Sequence, residues 1–254
     1  MKINQYRNKV VIITGATGCL GRALTFEFAK AGAKLALCSR SEEKLKKLAD
    51  ELYAFNKEVL IQEVDVSEIK QIKRFIRQVV VKYKTINVLV NNAGIANFSP
   101  FIDLNEKAIR SEIDINYLGP VCFIQESLPL MLKQKGAQII NISSILAYRP
   151  FPFYASYSAS KAALSALTDA IRCEIGVDKV RLVNVYLSKV KGGISREGKS
   201  KGMEPEKAAK IIINKAGQGK TTIYPQFEAL PIRWLNTFFP GAVESFINHC
   251  QSRS

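Results

Sequence analysis

The sequence predicts an α/β chain, doubly wound, in which a parallel sheet of about seven strands carries helices on both faces within one domain, 1–254. Two observations predict it. Continuous Val/Ile runs of strand length alternate with longer amphipathic patterns, and no linker, internal repeat or low-complexity tract interrupts them. A glycine-rich turn directly after the first run adds a third, because such turns open the first helix of nucleotide-binding sheets.

In chain order, a strand at 10–14 leads into a helix at 20–31, and a strand at 35–38 into a helix at 41–56. A strand at 59–64 is followed by a helix at 67–82, and a strand at 88–90 by a helical pattern at 105–135 that divides near Gly119-Pro120. Strands at 138–142 and 181–185 flank a helix at 156–176, and a last helix, 205–215, precedes a strand at 222–224. The main irregular stretch is 188–203, long enough for a functional loop or lid.

At 47% hydrophobic and 23% charged residues, the chain can bury a sizeable core. Its polar start and the short apolar run 10–13 do not form a signal-peptide core, and no segment approaches the ~20 apolar residues of a membrane span. The five cysteines (19, 38, 122, 173 and 250) are odd in number and lack CxxC spacing, which predicts reduced thiols in a cytoplasmic protein without a structural metal. The net charge of +15 lies mostly along helical segments without interleaved aromatics, so it reads as a solvated surface, and no nucleic-acid partner is expected. One basic cluster stands out: Lys189, Lys191, Arg196, Lys199 and Lys201, set among glycines and opposed only by Glu197.

Thr14-Gly15-Ala16-Thr17-Gly18-Cys19-Leu20-Gly21 joins the first strand to the first helix. Glycines there permit a tight turn and close approach to a pyrophosphate, which the helix N-terminus stabilises electrostatically. At the end of the second strand, where an acidic residue would bond a ribose 2′-hydroxyl, stand Ser39 and Arg40, a cation suited to a 2′-phosphate. NADP(H) is therefore expected over NAD(H).

Tyr157-Ser-Ala-Ser-Lys161 places a phenol and an ammonium at i and i+4 of a helix, on one face. An adjacent lysine favours phenolate and is expected to lower the phenol's pKa towards the working range of an acid/base catalyst. Ser144, thirteen residues upstream, supplies a hydroxyl for an oxygen whose charge changes during reaction.

Over roughly 9–224 these elements, in order, make the chain resemble the short-chain dehydrogenase/reductase family, with a Rossmann-like fold. The matching motifs are the Thr14-to-Gly21 turn, Asp65-Val66, Asn91-Asn92-Ala93-Gly94, Asn116, Asn141-Ile142-Ser143-Ser144 and the Tyr157–Lys161 pair. The resemblance implies a catalytic tetrad of Asn116, Ser144, Tyr157 and Lys161, with Ser143 structural. It also implies cofactor contacts from Gly15, Thr17, Gly18, Cys19, Leu20, Gly21, Ser39, Arg40, Asp65 (to adenine), Val66, Asn92, Ala93, Gly94, Tyr157 and Lys161. The implied reaction passes a hydride between nicotinamide and a carbonyl or alcohol. Tyr157 exchanges the proton, Lys161 holds the ribose and Asn116 serves a proton relay. No metal is implied, and His249, the only histidine, reads as structural or surface.

The chain departs from the family pattern in two places. The glycines follow TGxxGxxG spacing, with Cys19 where members of this length carry glycine, either close to the pyrophosphate or as a small buried residue. Ser188-Lys189 replaces the common Pro-Gly after the sixth strand, and the basic segment 189–201 is expected to be either a lid that attracts an anionic substrate, such as an acyl thioester, or a solvated loop. The aromatic stretch 230–240, within an apolar extension at 230–250, has three readings besides packing on its own domain: cover for the pocket, self-association, or peripheral membrane contact. The family implies a dimer or tetramer. A 3-oxoacyl thioester reductase and a non-catalytic NADP-binding sensor or scaffold are the alternative functions.

Overall fold

The computed structural model describes residues 3–55, 59–176, 178–194 and 202–226. Seven strands form one sheet: β1 (Val10–Thr14), β2 (Lys34–Ser39), β3 (Val59–Glu63), β4 (Val88–Asn91), β5 (Ala137–Ser144), β6 (Val180–Leu187) and β7 (Thr222–Ile223). Their spatial order is β3-β2-β1-β4-β5-β6-β7, with every neighbouring pair parallel. The helices are α1 (Cys19–Lys30), α2 (Glu42–Leu52), α3 (Ile69–Tyr83), α4 (Glu106–Ile113), α5 (Gly119–Met131), α6 (Ala155–Ile175) and α7 (Pro205–Gly217).

The continuous apolar strands follow from having two buried faces. Val11 and Ile13 of β1 point into a core closed by α1, α2 and α7, while Val10 and Ile12 point into a second core under α3, α5 and α6. Register carries the alternation across the sheet: Val11 lies opposite Leu35 of β2 and Val88 of β4, and all three belong to the first core.

Helix boundaries follow local chemistry. Ser41 caps α2 by accepting from the Lys44 N–H at 3.3 Å, and Asn105 caps α4 by accepting from Ala108 at 2.9 Å. The third helix starts two residues later than expected, because the Ser67 N–H and hydroxyl both turn back to Asp65 Oδ1, at 2.9 and 2.7 Å.

The long helical pattern divides next to Gly119-Pro120, as expected. A π turn over Asp114–Leu118 separates α4 from α5, and Gly119-Pro120 opens α5. Proline is tolerated there because first-turn N–H groups have no intrahelical acceptor. Gly119 serves packing: a β-carbon on it would sit 2.6 Å from the Val66 carbonyl oxygen.

The chain winds outward from β1 to β3, then returns to place β4 on the other side of β1. This reversal leaves a crevice beyond the carboxyl ends of the strands, where ligands bind in such sheets. The stretch 230–240, His249, Cys250, Arg196, Glu197, Lys199 and Lys201 lie outside the described residues. Among the described residues, no helix is long and apolar enough to cross a membrane.

Candidate functional site

A cavity of about 930 Å³ occupies the crevice and is lined by the loops after β1 to β6. Arg40, Lys44 and Asp65 stand among its walls, as do Ser144, Tyr157, Phe151 and Ile194.

The turn after β1 is shaped by close approach. Gly15 has φ +62°, and a β-carbon on it would lie 2.9 Å from Ala93 Cα; one on Gly21 would overlap the Gly15 carbonyl oxygen and sit 2.8 Å from Asn92 Nδ2. At Gly18 the nearest atom is the Gly15 oxygen, at 3.4 Å, so a methyl group fits there. Gly18 is the N-cap of α1 and provides no side-chain cap, leaving first-turn amides available to an anion. Thr17, Cys19 and Leu20 line the same wall. Cys19 is partly exposed rather than buried, with Gly192 facing it: a β-carbon there would lie 3.8 Å from its Sγ. A glycine cradle at a helix N-terminus, opening into a cavity of this volume, fits a dinucleotide.

Asn92 binds the floor together, its Nδ2 donating to the Thr14 and Gly15 carbonyls at 2.9 and 3.1 Å. Thr14 Oγ1 accepts from the N–H groups of Asn92 and Ala93, both at 3.0 Å. Behind them Asn91 Nδ2 donates to Asn141 Oδ1 at 2.7 Å, and Asn141 Nδ2 donates to Thr168 Oγ1 at 2.8 Å, joining β4, β5 and α6.

At the end of β2, Ser39 is buried, its hydroxyl accepting from the Ser41 N–H at 3.4 Å, and Arg40 is exposed. Lys44, in the first turn of α2, joins Arg40 on the wall. Lys44 is one of the helical lysines covered by the expectation of a solvated basic surface; its spacing of four from Arg40 across a capped helix start was the available signal. Asp65 and Val66 line the cavity, with Asp65 Oδ1 engaged by Ser67.

The four predicted tetrad residues come from three elements. Tyr157 and Lys161 sit on α6, Ser144 ends β5, and Asn116 lies within the π turn. The Ser144 hydroxyl hydrogen-bonds the Tyr157 phenol and accepts from the Leu146 N–H at 3.1 Å. Ser143 points away, 2.9 Å from Ser165 Oγ, a structural contact. Lys161 is buried; its Nζ donates to the Ile142 carbonyl at 2.9 Å and stands 5.9 Å from the centre of the Tyr157 ring. Gly94 admits this convergence, since a β-carbon there would lie 3.0 Å from Asn116 Oδ1 and 3.4 Å from Lys161 Nζ. Asn116 is wholly buried. It accepts from the Ile95 N–H at 2.9 Å and donates to the Ile95 carbonyl and Ser160 Oγ at 2.9 and 3.0 Å, so its side chain fixes the loop after β4.

The expected lowering of the phenol's pKa is reversed. Burial, foremost, pushes Tyr157 up to about 12; the Ser144 hydrogen bond pulls it down, and Glu112 and Tyr154 push it up. Burial likewise pushes Lys161 down to about 8. Desolvation disfavours the charged form of each, which outweighs the attraction anticipated from i,i+4 spacing alone.

Glu112 escaped the sequence reading. It is buried in α4, and its carboxylate accepts from the Asn97 N–H and the Ser156 hydroxyl. The signal was an acid on the stripe Ile109, Glu112, Asn116, where helical spacing calls for inward-facing residues.

Leu187, Ser188, Lys189, Val190, Gly193 and Ile194 close the cavity after β6. A short parallel bridge between Val190 and Met203 joins the two ends of the predicted lid, with Lys191 N–H on Met203 O and Met203 N–H on Lys189 O, both 3.0 Å. Glu197 is not the sole acid opposing the basic cluster, because Lys191 pairs with Glu204 beyond it. Phe98, Phe151 and Phe153 are exposed at the mouth; Phe98 stacks obliquely on Phe153 and Tyr154, centroids 5.0 and 5.1 Å apart.

Known proteins resemble this chain in sequence and in fold. Residues 9–201 match the short chain dehydrogenase family. Dehydrogenase/reductase SDR family member 7B of Xenopus tropicalis is 31% identical over 232 residues, covering 84% of this chain and 75% of that protein. An uncharacterized oxidoreductase of Listeria monocytogenes is 31% identical over 229 residues, 89% of this chain and 87% of its own. A short chain dehydrogenase from Burkholderia cenocepacia, solved in complex with NADP, superposes with a TM-score of 0.84 at 26% identity, covering 96% of this chain and 98% of that one. An alcohol dehydrogenase from Thermococcus sibiricus, complexed with 5-hydroxy-NADP, superposes at 0.79 with 26% identity, covering 86% and 95%. With its parallel seven-stranded sheet and these relatives, the chain belongs to the short-chain dehydrogenase/reductase family of oxidoreductases.

Proposed function

We propose that this protein reduces an apolar carbonyl compound with NADPH, Tyr157 donating the proton. The observation that carries the reading is the Tyr157 phenol, held by Ser144 on the wall of the cavity with the buried Lys161 beside it. Bound NADPH supplies the hydride to the carbonyl carbon. Ser144 hydrogen-bonds the carbonyl oxygen, Tyr157 gives it a proton, and the resulting phenolate regains its proton from solvent. Lys161 holds the nicotinamide ribose and offsets the negative charge left on the phenol. The α1 N-terminus and the Gly15–Gly21 cradle hold the pyrophosphate.

Arg40 and Lys44, with no carboxylate among Ser39, Arg40 and Ser41, support NADP(H) over NAD(H), because a 2′-phosphate is matched by cations. The aromatic mouth formed by Phe98, Phe151, Phe153 and Tyr154 favours an apolar substrate. The basic segment supports a second reading, a 3-oxoacyl thioester reductase, of which Lys189 and Lys191 are the described part and Lys191 is already paired.

The test is a panel of apolar ketones, aldehydes and 3-oxoacyl thioesters with NADPH and with NADH, comparing wild type with Tyr157→Phe. Apolar ketones should turn over with NADPH, and the variant should lose at least about 100-fold in rate while still binding NADPH. Wild type and variant equally inert, yet both binding NADPH, would favour a non-catalytic sensor.

A further inference from the structure

Among the described residues, Glu112 is the only buried acidic side chain, at 0% exposed. Burying a carboxylate is costly unless it is paired or hydrogen-bonded. Here no lysine or arginine pairs with it among the described residues. Its two oxygens accept instead from the Asn97 N–H and from the hydroxyl of Ser156, the residue directly before Tyr157.

Those partners adjoin different walls of the cavity in the chain, Asn97 between the lining residues Ala96 and Phe98 and Ser156 next to Tyr157. Asn97 follows the Asn92–Gly94 floor and precedes Phe98, while Ser156 lies in the first turn of α6, whose N-cap, Tyr154, supplies no side-chain cap. An anion near the start of a 21-residue helix is favoured by the helix dipole.

Tyr154 and Lys161 flank the phenol on its own helix, Ser144 stands by it from β5, and the charge of Glu112 reaches it from α4 through Ser156, the residue before it. The other ionisable groups on the packed elements are Asp114 and Tyr117 of the π turn, Glu106, Lys107 and Arg110 of α4, and Arg181 and Tyr186 of β6. Of these, Lys107 is exposed, and Arg110 is exposed and paired with Glu106.

We propose that Glu112 is a positioning residue for Tyr157. It clamps the Asn97 loop to the first turn of α6 and, as a buried anion, holds the phenol protonated, fitting the site to give a proton to a carbonyl oxygen rather than take one from an alcohol. A second negative charge beside Glu112 is disfavoured by like-charge repulsion, the same sense in which Glu112 acts on Tyr157. The catalytic consequence rests on the proposed role of Tyr157; the electrostatic part is measurable without turnover.

Full-length protein labelled with ¹³C at tyrosine Cζ is titrated to high pH, the Tyr157 signal being identified by its loss in Tyr157→Phe. Glu112→Gln keeps size and one acceptor but removes the charge, and should lower the pH at which Tyr157 ionises by about half a unit or more. Ser156→Ala loosens the same clamp while keeping the charge, and should leave that pH unchanged or higher. No fall in Glu112→Gln, or an equal fall in both variants, overturns the proposal, because loosening rather than charge would then govern the phenol. Should Glu112→Gln not fold, Ser156→Ala decides alone: a fall sinks the proposal, and an unchanged or raised value upholds it. A failed carbonyl panel with a normal titration would count against the function and not against Glu112.

Discussion

Lys161 donates to the Ile142 carbonyl at 2.9 Å from a position that leaves only 3% of the residue exposed. One hydrogen bond to a neutral carbonyl does not repay the desolvation of an ammonium, so burial pushes its pKa down to about 8.

Stability should therefore depend on pH in a defined sense. Between about 8 in the folded chain and the ordinary lysine value of 10.5, the unfolded state binds more protons, and stability rises with pH. The cost is present in full below pH 8 and is gone above 10.5. Lys161→Met should be more stable than wild type by about 1–3 kcal/mol at pH 7, and the difference should shrink on going to pH 10. Urea unfolding of both proteins at the two pH values checks this; a difference independent of pH refutes it.

The three glycines of the first turn should not be equivalent. Gly21→Ala places a methyl group on the Gly15 carbonyl oxygen, and should cost about 3 kcal/mol or more of stability and abolish NADPH binding. Gly18→Ala meets only an ordinary contact at 3.4 Å and should keep the fold, losing at most about tenfold in affinity. Thermal melting and fluorescence titration with NADPH separate the two.

Arg40 and Lys44 should act on NADPH and spare NADH. Each charge-assisted bond to a 2′-phosphate contributes about 1–3 kcal/mol, so Arg40→Ala should weaken NADPH binding by roughly 10–100-fold, and a Lys44→Ala double variant more. Calorimetric titration with both nucleotides is decisive: equal losses for the two would show that neither cation meets the 2′ position.

Asn141 joins Asn91 to Thr168 through two buried hydrogen bonds. Asn141→Leu strands the Asn91 amide in the core and should cost about 2–3 kcal/mol, read as a lower urea midpoint, without adding or removing a cavity wall.

The strands were legible in the sequence because burial on two faces leaves an uninterrupted Val/Ile record, and the cofactor turn because glycine spacing is a local steric requirement. The helix break near Gly119-Pro120 was legible for a reason of the same kind, since the pair opens α5; what the sequence did not disclose is that Gly119 also answers to Val66, which the chain supplies from more than fifty residues earlier. The π turn that carries Asn116 leaves no comparable mark in its residue types.

Helical periodicity alone determined that Tyr157 and Lys161 share a face, whereas the strand expected from the sequence stopped at residue 142 and the tertiary structure carries β5 on to Ser144. The acidity of that phenol was decided only by tertiary structure. It depends on how deeply α6 packs and on Glu112, brought to Ser156 across 44 residues of chain, and both burial and charge act through space rather than along sequence.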